Sequence, residues 1–310
     1  MRGTSLIAAV VAIGIIGTMS MGLPVLVSEN QALRTGQLQN TQAYYSSRAG
    51  LEFAKRQLFL DAVLSTIPAR QFVGTSWTFT RTAGTVRAAG TYGNSTDTFS
   101  YSGDVIFLVA SATSTSTGTT SLVVNVPTGT QNGDTMLAAV TARTNAVTFT
   151  TPAGWTLVLT QTQTSANTGV IRIYRKTASG SEPASYTFTL NSNQDVVAGI
   201  LTFRNANATN PIDASASAAT ASATAQAAPT VTTTVTDTMI VTFHGINRGT
   251  TFTAPTGMTE IFDIRSDATT NGITLLASMV PKPTTGASGT KTATAAAAQR
   301  GQTVTVALEQ

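Results

Sequence analysis

The chain is 310 residues long and carries a formal net charge of +4, with charged residues making up only 10 % of it and cysteine absent. That length allows two or three domains and a substantial core, while the lack of cysteine excludes a disulfide framework, a thiolate zinc site and a thiol nucleophile. Arginines are spread from Arg2 to Arg300 without a basic cluster interleaved with aromatics, so the sequence offers no nucleic-acid surface, and its abundant Ser, Thr, Ala and Gly describe a surface solvated by hydroxyls, as suits an extracellular β-protein.

From Gly3 to Ser28 no residue is charged, and Leu6 to Ile16 is almost wholly apolar, bounded by Arg2 and Glu29. About 22 residues of helix would span roughly 33 Å, enough to cross a bilayer core. The apolar run is too long for a secretory signal core, and no A-x-A pattern closes it. Beyond it, Asn30 to Leu64 is helix-friendly, with no proline until Pro68. Tyr44, Leu51 and Leu58 recur every seven residues, with Ala54 and Ala62 between them, which predicts one apolar stripe on an amphipathic helix. Ile67-Pro68 ends it, because the residue before proline is pushed out of the α region. The expectation is one long helix over 4–65, apolar through 28 and amphipathic from 29.

Arg2-Gly3 followed by Thr4-Ser5-Leu6-Ile7 resembles the cleavage junction of type IV prepilins, and Gln42-Ala43-Tyr44-Tyr45-Ser46-Ser47-Arg48-Ala49-Gly50-Leu51-Glu52-Phe53-Ala54 resembles the A-G-L-E-x-A segment of minor pilins and pseudopilins. The resemblance covers about the first 65 residues. It implies a three-residue leader cut between Gly3 and Thr4, and a filament-core helix carrying Leu6, Ile7, Ala8, Val11, Ile15, Ile16 and Pro24. It also implies packing of Tyr44, Leu51, Ala54 and Leu58 against the protein's own head. The implied partners are other pilin subunits, the inner membrane before assembly and a surface receptor. One departure is Ala8, the fifth residue after the junction, where pilins carry a glutamate that fixes axial register. In the family that absence resembles tip or minor subunits. A major subunit, or a monomeric membrane-anchored adhesin, are the alternatives.

Past Phe72 the pattern becomes short alternating runs, Ser76–Thr80, Thr85–Ala88 and Thr98–Tyr101, predicting a small antiparallel sheet over 70–110. Ser111 to Thr120 reads as a Ser/Thr/Gly linker. The rest reads as an internal repeat with one offset of 103 residues and no gaps. Asp134-Thr135-Met136 returns as Asp237-Thr238-Met239, and Thr148-Phe149-Thr150 with Pro152 and Gly154 returns as Thr251-Phe252-Thr253 with Pro255 and Gly257. Each copy, 119–207 and 213–310, reads as about six short strands, forming either two sandwiches in series or two halves of one. The predicted class is α+β: a long N-terminal helix with a small sheet, then an all-β sandwich region.

Chemistry is sparse. His244 is the only histidine and lies on an apparent strand, where a structural or surface role is expected rather than a catalytic one. Fourteen acids are scattered mostly singly; Asp263 and Asp267 are the pair weighed as carboxylate partners, and they are expected to flank a strand end. The oxygen-rich loops Asn132–Asp134 and Asn191–Asp195 lack the spacing of a calcium loop and fit turn chemistry. Trp155, matched by Met258 in the second copy, is expected in the core. These residues predict no catalytic site, no metal and no cofactor.

Overall fold

The computed structural model describes residues 35–45, 70–72, 75–82, 85–92, 95–102, 105–165 and 168–310. The chain divides into two compact units, with the boundary between Ser102 and Gly103. In the first, residues 35–45 form a helix, α1, on which Ala43 is fully buried while Leu38 and Tyr45 are well exposed. Strands β1 (Arg70–Phe72), β2 (Thr75–Thr82), β3 (Thr85–Tyr92) and β4 (Ser95–Ser102) form an antiparallel meander. Thr82 pairs with Thr85 and Tyr92 with Ser95, so β2, β3 and β4 are in register to their ends.

The second unit holds two sheets of one topology. The first copy contributes β5 (Phe107–Asn125), β6 (Thr135–Ala142), β7 (Phe149–Thr150), β8 (Thr156–Gln163), β9 (Gly169–Thr177) and β10 (Ser185–Arg204). They are ordered β5-β10-β6-β9-β8, with β7 on β10. The second copy contributes β11 (Ile212–Ala228), β12 (Thr232–Thr233), β13 (Thr238–Ile246), β14 (Phe252–Thr253), β15 (Thr259–Arg265), β16 (Thr274–Lys282), β17 (Gly286–Ala287) and β18 (Lys291–Leu308). They repeat the order as β11-β18-β13-β16-β15, with β14 on β18, and β12 pairs β17.

This architecture corrects the α+β expectation. The fold is mostly β, and among the described residues helix is confined to 35–45 rather than running through 4–65. The remainder of that expected helix lies outside the described residues. Ser111 to Thr120 is not a linker either: it is the middle of the 19-residue β5. A Ser/Thr run solvates equally well as coil or as an edge strand, and here the apolar run Val196–Phe203 of β10 lies beside it as a template.

Each copy curls into a sandwich of its own. β10 is continuous in the chain but shifts register against β5 between Thr189 and Val196, and β11 does so against β18 between Thr220 and Ala225. Such irregularities bend a strand and raise its twist. The first half of β10 thereby returns over the outer face of its own sheet, where Leu122, Val124, Phe188 and Leu190 pack against Met136, Ala138 and Tyr174.

The opposite faces of the two sheets meet in the largest core. Leu137, Ile171, Ile173, Leu201 and Phe203 of the first copy pack there with Val241, Phe243, Phe262, Leu275, Val304 and Val306 of the second. The contact is reciprocal: β8 lies against β11 and β15 against β5, while β9 meets β18 and β16 meets β10. Such exchange of roles is the mark of a twofold, isologous interface, built here within one chain. The two sequence alternatives therefore merge into two small sandwiches sharing one seam. Polar groups fix its rim: the Arg143 guanidinium donates to the carbonyls of Thr270 (3.0 Å) and Gly272, and Gln163 Nε2 donates to Thr220 O at 2.8 Å.

The repeat is not gapless at 103. Phe203, opposite Thr135, occupies the place of Leu308, which is opposite Met239. At an offset of 103, Met136 would correspond to Met239, yet Met136 faces the outer core of its copy and Met239 the seam. A one-residue slip exchanges the two faces of a strand. The repeated Asp-Thr-Met tripeptide marks the strand entrance, not the side-chain register. Asp237 enters β13 at φ 56°, while Asp134 is held by Arg204 through Nε to Oδ1 at 2.9 Å and Nη2 to Oδ2 at 2.8 Å.

At the seam, Gly199 of β10 lies beneath the ring of Phe262, so that a Cβ at 199 would press into that ring. Gly199→Val is expected to destabilise the protein by about 2 kcal/mol through overpacking, and Phe262→Ala by about 3 kcal/mol through the cavity it opens. Combining Gly199→Val with Phe262→Ala should cost clearly less than the sum, measured as a denaturant double-mutant cycle; strict additivity would mean the two residues do not interlock.

Candidate functional site

The sequence-predicted junction Gly3 and Thr4, the core residues Leu6, Ile7, Ala8, Val11, Ile15, Ile16 and Pro24, and the packing residues Leu51, Ala54 and Leu58 all lie outside the described residues. Tyr44 is described. It sits on α1, 37 % exposed, with its ring edge-on to Tyr45 at 5.4 Å. Asn40, Ala43, Tyr45 and Thr96 join it in lining an open depression.

His244 stands in the middle of β13, fully buried. Its Nε2 lies 3.1 Å from the carbonyl of Lys291. Since a carbonyl only accepts, Nε2 carries the proton and Nδ1 is bare, with no hydrogen-bond partner. The ring lies 6.2 Å from that of Phe252. Burial pushes its pKa down to about 4, against the opposing pull of the Lys291 carbonyl. A neutral imidazole enclosed in this way is a core group with no route to a substrate.

Trp155 is 6 % exposed and meets Tyr186 edge-on at 5.3 Å within the outer core of the first copy. The loop acids are committed to turns and strand ends. Asp195 Oδ1 accepts from Gly118 N at 2.9 Å, Asn191 Oδ1 from Thr148 N at 2.9 Å, and Asp267 Oδ1 from Thr269 N at 2.7 Å. Asp263 accepts instead from Phe252 N at 2.8 Å, and burial raises its pKa. Asp263 and Asp267 thus serve separate strand and turn contacts.

The densest polar group was not foreseen. Glu182 receives Lys176 Nζ at 2.8 Å, Ser179 N at 2.7 Å and Ser179 Oγ at 2.9 Å on one oxygen, and the Tyr186 hydroxyl on the other. Burial works against its charge, but these donors together hold it down to about 2; the same burial and the carboxylate push the Tyr186 hydroxyl well above its ordinary range. Lys176 also lies 5.8 Å over the Tyr186 ring. Both carboxylate oxygens are engaged and the tyrosine is locked as a donor, so the cluster clamps the loop before β10 instead of presenting a nucleophile or base. Its only sequence signal was Ser179-x-x-Glu182, a spacing common in capped turns. Among the described residues, no three His, Asp or Glu side chains gather in a way that would hold a metal ion.

The His244 pKa has a stability consequence. With a folded pKa of about 4 against 6.5 unfolded, the stabilisation from keeping the ring neutral is complete above pH 6.5. It is lost progressively as pH falls from 6.5 towards 4, because the unfolded chain takes the proton first. The full difference amounts to roughly 3 kcal/mol. Thermal melts at pH 7.5 and 4.5 should show a marked drop for the parent and a smaller one for His244→Leu; equal drops would show that the ring is not the acid-sensitive group.

Comparison of the chain with protein-family models, curated proteins and solved structures finds no match in any of the three.

Proposed function

We propose that the chain is a structural subunit of a type IV pilus-like extracellular filament, in a minor or tip position, with its duplicated β-body displayed for adhesion or subunit contacts. The observation that carries this reading is the pairing, within the first 54 residues, of the Arg2-Gly3-Thr4 junction and uncharged Gly3–Ser28 run with the Ala49-Gly50-Leu51-Glu52-Phe53-Ala54 segment. An apolar stretch of this kind resides in a membrane before assembly and afterwards needs other apolar stretches beside it. In this reading the subunit begins in the inner membrane and ends at the cell surface, its partners are other pilin subunits, and a surface receptor meets the β-body. Ala8 in place of a carboxylate supports the tip or minor position over the major one, since an unpaired acid buried in apolar surroundings is costly and only a subunit stacked above another needs one. The β-body is consistent with a contact role: its long strands β5 and β11 present exposed hydroxyls and methyls, as at Thr113, Thr115, Ser215 and Ala219.

Intact-mass measurement of the N-terminus tests the proposal. The expected result is loss of Met1-Arg2-Gly3 and a methylated Thr4, with the chain recovered in sheared extracellular fibres. A full-length N-terminus on a monomer that stays in the membrane would replace this reading with a membrane-anchored adhesin.

A further inference from the structure

A β-sheet ends in a strand whose outer backbone groups have no partner, and proteins ordinarily guard such edges with charge, proline or bulges. Among the described residues, β5 pairs along its length only with β10, and β11 only with β18, so each sheet has one long free edge. The shorter edges at the other side are guarded. β15 carries Glu260, Asp263 and Arg265 and a register break between Glu260 and Phe262, and β8 breaks register between Leu157 and Leu159.

The long edges break register too, between Thr189 and Val196 and between Thr202 and Phe203 of β10 against β5, and between Ile212 and Ala214 and between Thr220 and Ala225 of β11, but these breaks leave one unbroken, uncharged run in each. Residues 110–116 of β5, Ala-Ser-Ala-Thr-Ser-Thr-Ser, pair in unbroken register with Thr202 to Val196. Residues 214–219 of β11, Ala-Ser-Ala-Ser-Ala-Ala, pair in unbroken register with Ala307 to Gln302; the next carbonyl, that of Thr220, is taken by Gln163 Nε2 at 2.8 Å, and Ser217 Oγ donates to Gln161 Oε1 at 2.9 Å. Neither run holds a charge, a proline, a glycine or a bulky side chain. The one acid nearby, Asp213, is turned to Thr234, accepting from its N at 2.9 Å and its Oγ1 at 2.5 Å. The two runs occupy equivalent places in the duplicated sheets. Because β8 lies over β11 and β15 over β5, the runs sit on opposite sides of the body.

We infer that these runs are the contact by which one copy of this chain binds the next, β5 of one body pairing with β11 of its neighbour. The occupant is a second copy because each edge finds in the other a strand of like length, like side-chain size and no opposing charge. Pairing β5 with β5 would close a dimer and leave β11 bare. Pairing β5 with β11 satisfies both edges and, the two being on opposite sides, propagates as an open head-to-tail array. Hydroxyls and methyls on both runs let the backbones approach to the usual strand spacing of about 4.8 Å. The contact is a property of the β-body and does not depend on processing of the N-terminus.

The natural absence of cysteine makes the test direct. Thr113→Cys and Ser215→Cys, both at exposed positions, are introduced separately and together into the full chain, purified in mild detergent. Each protein is treated with a bis-maleimide of about 10 Å span, which tolerates a slip of two residues. A ladder of oligomers from the double variant alone is expected. Discrete dimers from either single variant, or no ladder from the double one, would overturn the inference. In a second arm, Thr115→Lys with Ala219→Lys, at equivalent exposed edge positions, should lower the assembled fraction seen in sedimentation at least tenfold while the thermal melt stays unchanged. Undiminished assembly would equally overturn it. A ladder formed by a chain whose Met1 is retained would separate the fate of this contact from that of the pilin reading.

Discussion

The fold depends on one apolar seam. Two sheets of the same topology each leave a face of Val, Ile, Leu and Phe that water disfavours, and each is the other's cover. Neither copy buries that face alone, so the second unit stands or falls as a pair. Close approach is possible because small residues are placed where large ones intrude. Gly199 admits the Phe262 ring, and Gly169 admits the Asn247 and Gln302 amides, which hydrogen-bond to each other at 3.2 Å.

The chain is rich in threonine and alanine, and the interior shows how such residues build a core. Thr141, Thr303 and Thr305 are fully buried, and each hydroxyl donates to a neighbouring carbonyl, those of Val170, Ala227 and Pro229. The methyl packs while the hydroxyl is satisfied, so threonine serves on both faces of a strand. This leniency also permits the copies to slip by one residue relative to their sequence match. They have diverged in their fastenings as well: the first copy ends β10 with Arg204 on Asp134, whereas the second ends β18 at Leu308-Glu309 and relies on the left-handed Asp237 at its turn.

In the β-body the Glu182 carboxylate is clamped by Lys176 and Tyr186, and His244 is enclosed. The surface left over is hydroxyl and methyl on long strands. The proposed filament role draws on the N-terminal sequence, and the proposed edge pairing draws on the β-body, so two separate parts of the chain point to assembly.

Much of the β-region was legible in the residues. Phe149-Thr150 and Phe252-Thr253, with the Pro-x-Gly turns after them, located two equivalent modules, and the core placement of Trp155 followed from its apolar counterpart, Met258, whereas the burial of His244 came only with the facing strands. What the residues did not decide was which face each strand turns inward, because alternating Thr, Ala and Val reads the same in either register and only the facing sheet breaks the tie. Nor did they separate linker from strand at Ser111–Thr120, where the apolar neighbour Val196–Phe203 supplied the template, or reveal the Glu182 clamp, whose donors converge only once β9 and β10 are bent together. They also led to an α+β class, whereas the described residues are mostly strand, with helix at 35–45. The sequence by itself determined duplication, strand content and a hydroxyl-coated exterior, because these are properties of local pattern; register, the shared seam and the free edges were decided by tertiary structure, because each is a relation between segments distant in the chain.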